Sequence, residues 1–78
     1  MAHEGVMPDP EIPTAPQLRT LLEALQRGER LTVADALVRY GVYALSQRIG
    51  ELRDRGWPVQ RQMRETDGGA RVAEYRLR

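Results

Sequence analysis

The sequence predicts an α+β domain in which three short helices are followed by one β-hairpin. Three observations carry this expectation. Leu18, Leu21, Leu22 and Leu25 recur at the i, i+3, i+4, i+7 spacing of one buried helical stripe. Two shorter periodic segments follow, separated by Gly41 and closed by Gly56. Residues 59–65 and 70–77 then alternate around Asp67-Gly68-Gly69, a strong hairpin signal.

The chain of 78 residues has room for one small domain. Residues 1–15 contain Pro8, Pro10 and Pro13, few large apolar residues and no periodicity, so they are expected to form a flexible acidic tail unable to offset the entropy of its own ordering. The domain is expected over residues 16–78. Deleting residues 1–13 should on this reading leave the melting temperature almost unchanged.

The first helix starts near Pro16, with two openings for it. Either Thr14 caps it and Gln17 closes a capping box, or Ala15 precedes Pro16 at the first helical position. Gly28 suits the left-handed residue that ends it. Thr32 opens the second helix, with Asp35 in its first turn, and Ala36, Leu37 and Val33 are expected to face inward. Gly41 interrupts this helix. The third follows at once, with Leu45, Ile49 and Leu52 on one face and a stop at Gly56, ahead of Trp57-Pro58.

For the hairpin, a three-residue loop pairs Thr66 with Ala70, Met63 with Ala73, Arg61 with Tyr75 and Val59 with Leu77. This register gathers Val59, Met63, Ala73, Tyr75 and Leu77 on one face, with the stem of Arg61 along the sheet. Gln60, Gln62, Arg64, Val72, Glu74 and Arg76 take the other. One loop glycine should adopt the left-handed conformation as a bulge. Helix, helix, helix, hairpin is the order of a winged helix-turn-helix.

Chemistry narrows the functional classes. The chain lacks cysteine and has one histidine, His3, which leaves no basis for a disulfide, a thiolate site or a zinc centre. Scattered carboxylates and the absence of a phosphate-cradling glycine loop argue against an enzyme, and no cofactor or metal is expected. No apolar run reaches membrane-spanning length and no signal-peptide pattern follows Met1, which suits a cytoplasmic protein. The net charge of +1 conceals an asymmetry, with −3 over residues 1–16, 0 over 17–38 and +4 over 39–78. An arginine-rich C-terminal half is a modest footprint for a polyanion.

The stretch from Gly41 to Val59, including Leu52-Arg53-Asp54-Arg55-Gly56-Trp57-Pro58-Val59, and the closing Tyr75-Arg76-Leu77 resemble the small winged helix-turn-helix domains common in bacteriophages and prophages. The resemblance covers about residues 17–78. It implies a sequence-specific double-stranded DNA-binding protein, a transcriptional regulator of the phage or prophage type, acting as a homodimer on an inverted repeat. The alternative is a winged-helix module for protein interaction or assembly.

Helical geometry nominates contacts independently. With Leu45, Ile49 and Leu52 buried, Tyr43, Gln47, Gly50 and Asp54 lie opposite, with Ser46 and Glu51 beside them. The amide of Gln47 suits paired bonds to adenine, while Tyr43 and Ser46 suit phosphate or a base edge. Arg48 and Arg53 flank this face as phosphate contacts, and Arg55 is expected to pair with Glu51. Gly50 invites a close approach by DNA or by the first helix. On the wing, Arg64 and Arg71 are the candidate DNA contacts, with Arg71 partly neutralised by the facing Glu65.

Overall fold

The computed structural model describes residues 10–78. Helix α1 spans Pro16–Gln26, with Ala15 at its cap, no side-chain cap bond and Pro16 in its first turn. Of the two openings considered, the proline start is the one used. Leu18, Leu21, Leu22 and Leu25 are buried, together with Ala24. The helix ends when the amides of Gly28 and Glu29 reach back to the carbonyls of Leu25 and Ala24. Gly28 takes φ +89°, the left-handed conformation this closure requires.

Helix α2 spans Val33–Tyr40 and opens with a capping box. The Thr32 hydroxyl accepts from the Asp35 amide, and the Asp35 carboxylate accepts from the Thr32 amide. That second bond holds the Asp35 carboxyl below the usual carboxylate range. A depressed folded value means that this stabilisation is present above about pH 4 and is lost as the pH falls through the lower folded value. Urea denaturation should therefore show a loss of stability on going from pH 7 to pH 3, and Asp35→Ala should make that loss smaller.

The inward face of α2 is narrower than its sequence suggests. Ala36 is its sole buried residue, while Val33 and Leu37 are 55% and 41% exposed. The buried wall at this point comes instead from Leu31 and Val42, which flank the helix.

Helix α3 spans Leu45–Asp54 and buries Leu45, Ile49 and Leu52 as its periodicity predicts. It begins abruptly. Ala44 caps it at φ +54° and ψ +53°, the one non-glycine residue with positive φ among those described. Left-handed backbone costs an L-residue roughly 1–2 kcal/mol, part of which glycine recovers. Ala44→Gly should raise stability by about 0.5–1 kcal/mol in chemical denaturation.

The wing consists of β1, Val59–Glu65, and β2, Arg71–Leu77, antiparallel in the predicted register. Thr66 donates to the Ala70 carbonyl, and Gly69 carries the positive φ of the three-residue loop. A third backbone contact was not legible in the sequence. Leu31 exchanges both amide bonds with Tyr75, at 2.9 and 2.8 Å, and so ties the α1–α2 connection to the edge of β2.

Residues 10–15 depart from the expectation of a loose segment. Pro13 is fully buried, Glu11 donates its amide to the Arg55 carbonyl at 2.9 Å, and the Trp57 indole donates to the Glu11 carbonyl at 2.7 Å. Pro10 lies beside Gly56. The segment thus straps the α3–β1 turn, with an apolar proline filling space and its polar backbone paired. Residues 1–9 of the expected tail lie outside the described residues.

Candidate nucleic-acid interface

Helix α3 and the wing meet along one side of the helix. Ser46 and Arg53 stand seven residues apart on that side. The Ser46 hydroxyl lies 3.2 Å from the Tyr75 hydroxyl of β2, and Arg53 Nε donates to the Val59 carbonyl of β1 at 3.1 Å. These two contacts, one at each end of the helix, hold the wing against α3. Ser46 therefore lies exposed at the predicted rim but spends its hydroxyl on positioning the wing.

The outward face keeps its predicted members. Tyr43 is 68% exposed, Gln47 is exposed, and neither side chain has a hydrogen-bond partner among the described residues. Gly50 has open space where a Cβ would stand, so α1 makes no close approach there. A smooth, uncrowded strip runs from Tyr43 past Gln47 to Gly50.

Several arginines are committed within the domain. Arg48 contacts Glu51 at 2.9 Å, a charge contact without hydrogen-bond geometry. The expected Glu51–Arg55 ion pair does not form. Arg55 Nη1 donates to the Glu51 backbone carbonyl at 3.0 Å and its Nε lies 3.5 Å from the Glu11 carboxylate. The strap explains this change, because it brings Glu11 to the end of α3.

On the wing, Arg64 contacts Glu74 at 3.1 Å. Glu74 is 7% exposed. Their face also carries Val72, which lines a groove with Val33 and Leu37 of α2. The opposite face carries Tyr75 and so belongs to the α3 side. Strand pleating puts Arg61, opposite Tyr75, and Arg71, opposite Glu65, on that same face. Both are exposed, and neither has a carboxylate within 4 Å among the described residues. Arg71 is thus freer than its cross-strand neighbour suggested.

Arg61 is the residue that sequence reasoning passed over as an interface candidate. Its pairing with Tyr75 is as the sequence predicts, but the register alone places only its stem along the core face. The signal lay in strand position: Tyr75 is buried, while the next pair toward the tip contains Met63 at 40% exposure. The inward face thus runs out of core to cover it before the hairpin ends.

No helix among the described residues is long and apolar enough to cross a membrane. None of their acidic or histidine groups cluster as a metal site. A family profile described as a winged helix-turn-helix domain matches residues 16–78. No curated protein and no solved structure matches the chain.

Proposed function

The chain belongs to the winged helix-turn-helix domain family over residues 16–78, and from that premise we propose that it is a sequence-specific double-stranded DNA-binding protein. In this reading α3 enters the major groove and the wing rests on the backbone. Gln47 reads a base, Tyr43 supports it, and the remaining donors of Arg53 take a phosphate. On the wing, Arg61 and Arg71 are the phosphate contacts. Arg48 and Arg64, paired within the domain, help to shape the surface.

The observation that carries the reading is the unpartnered strip of Tyr43 and Gln47 on the same side as a wing face bearing two unpaired arginines. Beside this strip the Glu51 carboxylate is engaged by Arg48. The resemblance of residues 41–59 and 75–77 to phage and prophage domains supports reading the chain as a regulator of that type, working in the cytoplasm by blocking or recruiting polymerase.

Selection of bound sequences from random double-stranded DNA tests the proposal. A consensus should emerge, and log K should fall with log salt at about −0.9 per phosphate contact, with several contacts per protomer. A flat salt dependence, or an unenriched pool, would favour a protein-docking module.

A further inference from the structure

The fold does not explain Gly50. It sits in the interior of α3, where glycine weakens a helix relative to alanine. Its φ is not positive, and a Cβ placed on it would meet nothing within 4 Å. Neither backbone conformation nor crowding within the chain therefore calls for glycine. What the missing side chain leaves is room on the outside of the helix.

That room has a specific place. Residues three and four apart are neighbours on a helix surface, so Gly50 is bounded by Ser46 and Arg53 on one side and by Gln47 and Asp54 on the other. Ser46 and Arg53 are the two residues that hold the wing, through the Tyr75 hydroxyl and the Val59 carbonyl. Gln47 and Asp54 are exposed on the outward side. Gly50 is thus the floor of the corner between α3 and the wing. Donors stand on the wing side of that floor. Arg53 bonds Val59 through Nε, which leaves its two Nη groups. Ser46 and Tyr75 share one hydrogen bond, so whichever hydroxyl donates, the proton of the other is left over.

We infer that this corner seats one sugar–phosphate strand of a DNA duplex, with Gly50 kept bare so that the strand lies against the α3 backbone and its phosphates reach Arg53 and the Ser46–Tyr75 hydroxyl pair. Close approach of backbone to a ligand is a use that glycine alone allows. A side chain at position 50 would stand between the strand and these donors. Asp54, one turn further on, repels phosphate, which sets the crossing at the level of Gly50 rather than at the C-terminal end of α3. Gln47 then lies on the groove side of the strand, toward the base edges. Contact at Gly50 in this way fixes how deeply α3 enters the groove.

The seat presupposes the DNA-binding reading, and one set of measurements separates the two. Gly50→Ala and Gly50→Leu are compared with the parent on the selected site and on random duplex DNA. Both variants should melt above the parent, Gly50→Ala by about 4–8 °C, because helix propensity improves and no contact within the chain is lost. Both should nevertheless bind less tightly, Gly50→Ala by about tenfold and Gly50→Leu by more, on selected and random duplexes alike. Phosphates of the selected site are then replaced one at a time by neutral methylphosphonate. The parent should lose affinity at a phosphate beside the base read by Gln47, and Gly50→Leu should no longer respond there. A parent that binds no DNA would overturn the DNA-binding reading and the seat together. A parent that binds while Gly50→Ala binds as tightly would overturn the seat alone. So would a loss confined to the selected sequence, which would put a base edge over Gly50, or a Gly50→Ala variant no more stable than the parent, which would return the glycine to the service of the fold.

Discussion

A chain that starts at Thr14 should melt roughly 10–25 °C below one that starts at Pro10, because about 2–4 kcal/mol of contacts disappear and each kcal/mol moves a domain of this size by about 4–8 °C. The losses are specific. Pro13 leaves a vacated site in the core, the Arg55 carbonyl loses the Glu11 amide, and the Trp57 indole loses its acceptor. Trp57 is the sole tryptophan, so its emission should shift to longer wavelength as water replaces the Glu11 carbonyl. Calorimetry of the two lengths, with the emission spectrum of each, checks both parts. Equal melting temperatures would show that the strap contributes no net stability.

The strap also marks the limit of what could be read from the residues. Leucine spacing in α1, the Thr32 cap of α2 and the register of the wing were all legible, because each depends on short-range periodicity or local hydrogen bonding, whereas the reciprocal bond from the Thr32 amide to Asp35 emerges only in the structure. Pro10 and Pro13 fall in a stretch whose composition predicts a flexible tail. Pro10 lies against Gly56 of the α3–β1 turn, more than forty residues away in sequence, Pro13 is fully buried, and no local pattern announces either. The same holds for Leu31, whose bond to Tyr75 crosses the fold.

The candidate interface divides along similar lines. Placing Tyr43 and Gln47 on the outward face of α3 needed only 100° per residue, and the structure leaves both exposed. Which arginines remain free could not be read that way. Arg48, Arg55 and Arg64 find partners one turn away, on the strap, or diagonally across the hairpin. Arg61 is left free because the core ends beneath it. The identities of the residues were plain; their commitments depend on tertiary neighbours.

Gln47→Ala, Arg61→Ala and Arg64→Ala should consequently fail in three different ways. Gln47→Ala removes an amide suited to paired bonds with one adenine, and should cost about 1–3 kcal/mol on the selected site with little change on random DNA. Arg61→Ala should weaken every sequence alike and reduce the salt slope by about one unit. Arg64→Ala leaves the buried Glu74 carboxylate without its cation, and should cost about 1–3 kcal/mol of folding stability while leaving the salt slope near that of the parent. Fluorescence anisotropy across a salt series, paired with urea denaturation of each variant, separates the three. If Arg64→Ala lowers the slope and Arg61→Ala does not, DNA meets the α2-facing side of the wing, and the contact surface must be rotated about the hairpin axis. If Gln47→Ala binds the selected site as tightly as the parent, α3 is not reading a base at that position.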